Sequence, residues 1–203
     1  MAVLRPHLAL TVSDVERSTE FYRALFGVEP TKERPGEALN AFNAVLQQRP
    51  GHPDALVGRA QVLGGMGQYP AAMADLQMAI SAGGNPWYAI FIRGQIYEAL
   101  QNPQAARYDY DHALGLWPQA VVVLVARGYL QGRFGDHVAA LRDFDQALAL
   151  NPKNVPAMVG RGWGYLYLGR AADALRQFDE ALALEPNNMS AINGRTQAQP
   201  FAS

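Results

Sequence analysis

Arginine recurs at Arg59, Arg93, Arg127 and Arg161, and once more at Arg195, always 34 residues apart. Aspartate keeps the same interval in two rows, Asp75, Asp109 and Asp143, then Asp111, Asp145 and Asp179. Each arginine sits beside a small residue, where burial is partial, and a partly buried guanidinium needs a carboxylate or carbonyl partner. The acidic rows could supply one, so the expectation is an Arg–Asp ladder stapling helices together. An anion-binding stripe is the sharper alternative for the same arginines. Catalytic chemistry finds no comparable set. The four histidines, His7, His52, His112 and His137, share neither ligand spacing nor a nearby acidic cluster. No Ser-His-Asp set, nucleophile elbow or phosphate loop can be assembled, and the GGMG stretch lacks the strand context of a nucleotide fingerprint. The expectation is therefore no catalytic residue, no metal site, no cofactor and no enzyme.

Composition narrows the partners. Seventeen basic against eighteen acidic residues leave a net charge of −1 over 203 residues. That balance argues against a nucleic-acid or membrane footprint, each of which needs a basic patch. The absence of cysteine removes disulfides and thiolate metal sites. The opening MAVLRPHLALTVSDVERS reads neither as a signal peptide nor as a membrane span. A cytoplasmic protein is expected.

The elements that must position these side chains are helical. Residues 155–188 hold two amphipathic patterns joined by a Gly-Arg turn, Ala157–Leu168 and Ala171–Leu184. The second carries a stripe of Ala174, Leu175, Phe178, Ala181 and Leu182, and Pro186 closes it. Two such helices cannot bury their apolar faces alone, and shifting by 34 finds their copies. Small residues recur as Ala60, Gly94, Gly128 and Gly162, and again as Ala72, Ala106, Ala140 and Ala174. Large ones recur as Leu76, Tyr110, Phe144 and Phe178, each followed by Ala79, Ala113, Ala147 or Ala181. The closing slot holds Gly84, Pro118, Pro152 and Pro186. Small residues let helices approach while one large side chain per copy fills the gap.

This register resembles the tetratricopeptide repeat, in period and in its small, large, small, proline pattern. The resemblance implies full repeats at 53–86, 87–120, 121–154 and 155–188, stacked as a right-handed α-α superhelix. Residues 36–52 read as a half repeat, with Ala38, Phe42 and Pro50 in second-helix slots and a helix over Glu37–Gln48. Residues 189–203 read as a polar capping helix, with Ser190–Gln199 cut by Pro200. Asn85, Asn102 and Asn154 stand as caps just ahead of helix starts. Gly64, Gly65 and Gly67 mark the 53–86 repeat as the softest.

In the repeat family the first helices line a concave surface. The matching slots here are Tyr88, Phe91, Ile92, Gln95 and Glu98, then Val122, Val125, Ala126, Tyr129 and Arg133. Val159, Gly160, Trp163, Leu166 and Tyr167 come from the last repeat, and Asp54, Val57, Gly58 and Gln61 from the first. The Lys, Arg and Asn set of the branch that grips acidic C-terminal carboxylates is missing. The expected peptide-binding groove is Tyr88, Phe91, Ile92, Gln95, Val125, Tyr129, Val159, Trp163 and Tyr167, apolar and aromatic. It suits an amphipathic helix, an extended apolar peptide or a second copy. Alternatively, tight curvature buries these rings between neighbouring helices.

Residues 1–35 break the repeat. Leu4, Leu8, Leu10 and Val12 alternate as in a strand, Ser13-Asp14 can cap a helix over Glu16–Phe26, and Gly27 can stop it. His7-Leu-Ala-Leu-Thr-Val-Ser-Asp and Phe21-Tyr-Arg-Ala-Leu-Phe-Gly resemble the first strand and helix of the vicinal oxygen chelate superfamily, the glyoxalase and bleomycin-resistance fold. In that family the histidine matching His7 often ligates the metal, with its other ligands on later strands that do not follow here. The expected fold is all-α, a repeat solenoid with a short β-α N-terminal appendage whose helix covers Glu37–Gln48. The expected function is a non-catalytic protein–protein interaction scaffold. The alternatives are a self-assembling structural protein, associating through the groove or the N-terminal segment, and the remnant of a metal-dependent glyoxalase- or dioxygenase-type enzyme.

Overall fold

A computed structural model describes residues 35–82 and 86–201. Every regular element among them is helical: α1 Pro35–Gln48, α2 Pro53–Gly65, α3 Tyr69–Ser81, α4 Trp87–Ala99, α5 Pro103–Leu116, α6 Val121–Arg133, α7 His137–Leu150, α8 Val155–Tyr167, α9 Ala171–Leu184 and α10 Met189–Ala198. A 3₁₀ turn, Gln199–Phe201, follows. From Pro53 onward, alternate helices begin 34 residues apart, at Pro53, Trp87, Val121, Val155 and Met189. No described helix is long and apolar enough to cross a membrane. The expected strand and helix before Pro35, with the packing of that helix on α1, lie outside the described residues, as does the expected cap at Asn85.

Capping side chains close the starts of α5, α7, α8 and α10. Asn102, Asp136, Asn154 and Asn188 each accept from the backbone N–H three residues on, at 2.9–3.2 Å. Those bonds satisfy donors that a helix start otherwise leaves unpaired. The turns within each hairpin reverse through a left-handed residue. Gly67, Gly135 and Gly169 take φ of 75°, 82° and 74°, and Gln101 occupies the equivalent slot at 58°. In each turn the following N–H returns to the helix, Arg170 to the Tyr165 carbonyl at 2.9 Å and Asn102 to that of Tyr97 at 2.8 Å. This closure needs a positive φ, which glycine adopts without a Cβ clash.

Two compact units divide the chain at Ala106–Arg107. In the first, α1 packs on α2, α2 on α3 and α3 on α4, while α2 also meets α4. In the second, α6, α8 and α10 form one layer in sequence, and α7 and α9 pack between them as the other. In this unit α7 and α9 each drive one ring into their neighbours. Phe144 and Phe178 are 2 % and 0 % exposed. A Cβ at Gly128 would stand 2.8 Å from the Phe144 ring, and one at Gly162 would stand 2.6 Å from that of Phe178. Gly160 and Gly194, on the following first helices, press on the same two rings from the other side. Gly58 does the same to Phe42 in the first unit. The glycines are there because bare backbone is what lets the helices close around an aromatic ring.

Candidate functional site

The ladder expected from the arginine and aspartate rows forms. Arg127 on α6 donates Nη2 and Nε to Asp143 on α7 at 2.6 and 2.8 Å, and Nη1 to Asp111 on α5 at 2.7 Å. Arg59 repeats this with Asp75 at 2.7 Å through both donors and with Asn43 at 2.8 Å. Arg195 meets Asp179 at 2.6 Å. The Arg161 rung differs. It bonds Asp145 at 2.9 Å on one side but the Gln177 carboxamide oxygen on the other, at 2.6 and 2.9 Å. The acceptors Asp75, Asp143 and Gln177 are only 3–5 % exposed. A buried acceptor left without its arginine would carry most of its desolvation cost, about 3 kcal/mol for a carboxylate. The Arg127 and Arg59 pKa values rise above the usual guanidinium range, first through the hydrogen bonds to Asp143 and Asp75, with burial opposing. These arginines are engaged by the protein itself, so the ladder reading accounts for them and the anion stripe loses its donors.

The expected groove residues divide into two groups. Phe91, Ile92, Val125 and Val159 are 1, 4, 7 and 2 % exposed. As surface-lining residues they are corrected: they belong to the core, because at those slots the side chain turns toward the adjoining helices. Tyr88 and Gln95 in the first unit and Trp163 in the second are half-buried, whereas Tyr129 and Tyr167 are 38 % and 66 % exposed. Val57 and Gly160 are buried as well, while Arg133 and Asp54 face solvent.

The surviving polar edges are tied to the following first helix at a constant spacing. In the first unit the Gln61 carboxamide donates to the Tyr88 hydroxyl at 2.9 Å. In the second the Tyr129 hydroxyl donates to the Pro156 carbonyl at 2.7 Å, and Trp163 Nε1 donates to the Ser190 hydroxyl at 3.1 Å. Crowding around the Tyr129 hydroxyl pushes its pKa above the usual phenol value, although part of the ring remains exposed. The rings also brace one another. Tyr129 sets its edge against Phe144 at 5.2 Å, and Trp163 does so against Phe178 at 5.5 Å. Trp163 and Tyr167 lie 6.1 Å apart. His137 at the start of α7 stacks flat on Tyr167, 4.7 Å between centroids and 8° between planes. Sequence reasoning missed His137, Ser190 and Pro156 as partners. The 27-residue interval shared by the three polar contacts was the available signal. What results is a set of braced ring faces, and no group of three possible metal ligands occurs among the described residues.

Two tetratricopeptide repeat models match the chain, one over residues 31–89 and one over residues 155–188. No curated protein matches the sequence. Solved structures do. A thermophilic repeat protein of Thermus thermophilus, TTC0263, aligns at a TM-score of 0.70 and 20 % identity, covering 91 % of this chain and 98 % of that one. YrrB, described as a TPR protein with an unusual peptide-binding site, aligns at 0.63 and 20 % identity over 93 % and 98 %. The first such domain of Spaghetti (RPAP3), solved bound to the HSP90 peptide SRMEEVD, aligns at 0.55 and 26 % identity over 58 % and 94 %. The family models, the helix period and these structural neighbours agree: this chain carries tetratricopeptide repeats.

Proposed function

We propose that the chain is a non-catalytic interaction scaffold that holds a peptide or an amphipathic helix against the exposed face of its first helices. Its repeats run 53–86, 87–120, 121–154 and 155–188. In the second unit the contact residues are Tyr129, Trp163 and Tyr167, and in the first they are Tyr88 and Gln95. The observation that carries this reading is the anchoring of the Tyr129 hydroxyl and the Trp163 indole N–H to the next helix. Rings fixed in advance lose little conformational entropy when a partner lands on them, which favours affinity. Two structural neighbours are described with peptides or peptide-binding sites, which supports the same class of partner. The partner surface is apolar rather than acidic, since Arg133 is the one arginine or lysine among the expected slots.

Cross-linking capture with wild type and with Trp163→Ala tests the assignment. The variant should lose specific partners while keeping its helical circular dichroism. An unchanged partner set would remove Trp163 from the contact surface, and with it the proposal.

A further inference from the structure

Leu166, Gly169, Ala171, Gln197 and Phe201 enclose a partly open cavity of about 610 Å³ at the ends of α8 and α10 and the start of α9. This volume is in the range of small-ligand sites. The repeat period explains why space exists there. One period earlier the corresponding residues are Gly132, Gly135, His137, Trp163 and Tyr167. In that copy Tyr167 has two ring neighbours, His137 stacked on its face and Trp163 tilted beside it. By the 34-residue period Phe201, in the 3₁₀ turn that follows α10, corresponds to Tyr167 at the end of α8, but Ala171 replaces His137 and Gln197 replaces Trp163. Both flanking rings are absent from the sequence at the position where the cavity lies, and Phe201 is left 75 % exposed.

We propose that this cavity is a receptor for one aromatic side chain of a partner polypeptide, which stacks on Phe201 as His137 stacks on Tyr167. The proposal rests on the scaffold reading for its source of ligand, since Gln197 and Phe201 continue the Trp163 and Tyr167 series by one period. A six-membered ring suits the space better than an imidazole, because an indole as well as an imidazole is missing. Leu166 adds an apolar wall where the preceding copy has Gly132. The Gln197 carboxamide lines the same space and can pair with a phenol hydroxyl. Tyrosine is the side chain these groups fit. Stacking of this kind contributes about 0.5–1.5 kcal/mol beyond the apolar area it buries.

The test uses the full chain and 4-methylphenol as the tyrosine side-chain probe, followed by amide chemical shifts. Saturable shifts centred on Gly169, Gln197 and Phe201 are expected, with cyclohexanol at the same concentration producing none. Ala171→His should fill the space from within, and Phe201→Ala should remove the stacking face. Each should weaken the probe by about tenfold. Phe201 is exposed, so its variant keeps the fold even where the bulkier side chain at the buried Ala171 does not. Shifts scattered over the chain, equal shifts with cyclohexanol, or shifts unmoved by Phe201→Ala would overturn the proposal. The probe reports on the cavity alone, so its failure is separable from an unchanged partner set in the Trp163→Ala capture.

Discussion

Phe144 and Phe178 are each gripped by glycines from two successive first helices, Gly128 with Gly160 and Gly162 with Gly194. The pairing of large with small extends to a place where both partners change. Leu76 takes the large slot of its repeat, and Ile92 takes the slot that Gly58, Gly160 and Gly194 fill elsewhere. Both are buried, at 0 % and 4 % exposed, on helices α3 and α4 that pack together. A smaller knob has been matched by a larger wall. Leu76→Phe alone should overpack this site and cost about 1–3 kcal/mol. Ile92→Gly alone should cost more, about 4 kcal/mol, by leaving a cavity and loosening a helix. The double variant should be less destabilised than the two combined, with a coupling of about 1–2 kcal/mol. Denaturant melts of the four proteins measure that coupling, and strict additivity would show that Leu76 and Ile92 do not share the site.

The hairpins depend on how their turns reverse, and one turn is built differently. Gly67, Gly135 and Gly169 hold the left-handed position in three hairpins, whereas Gln101 holds it between α4 and α5. A side chain at that φ costs about 1–2 kcal/mol, against a smaller entropic penalty for placing glycine there. Gln101→Gly should therefore stabilise the protein by roughly 0.5–1 kcal/mol, read as a higher thermal midpoint. A neutral or lower midpoint would mean that the Gln101 side chain compensates for its backbone. The ladder acts at the same scale, since Arg127 ties α6 to both α5 and α7. Its period was legible in sequence. The exchange of Asp for Gln177 on the Arg161 rung was legible too, but the outcome was not. Gln177 accepts from the arginine through its oxygen and donates its N–H to Glu180 at 3.1 Å, passing the interaction to a surface carboxylate.

For the molecule as a whole, stacked repeats place each core residue between neighbouring helices, so removing one helix uncovers what it shields. In the second unit α10 supplies Gly194, which covers the Phe178 ring. Removing residues 189–203 should uncover that ring and lower the thermal midpoint by several degrees, since burial of one such side chain is worth about 2–3 kcal/mol. Binding of an apolar dye to the shortened chain should rise, and an unchanged midpoint would show that α10 is not a cap. The sequence by itself determined the helical period, the alternation of small and large residues, the hairpin turns and the arginine ladder. Those features repeat, and a repeated local pattern repeats its contacts. Only the tertiary structure decided which expected groove residues remain accessible. Phe91, Ile92, Val125 and Val159 share a helix face with exposed rings, and one turn of helix separates a buried slot from an open one. The cavity beside Phe201 likewise arises from residues on three elements, Leu166, Ala171 and Gln197, and the rings missing at Ala171 and Gln197 acquire meaning once the helices bring these residues together.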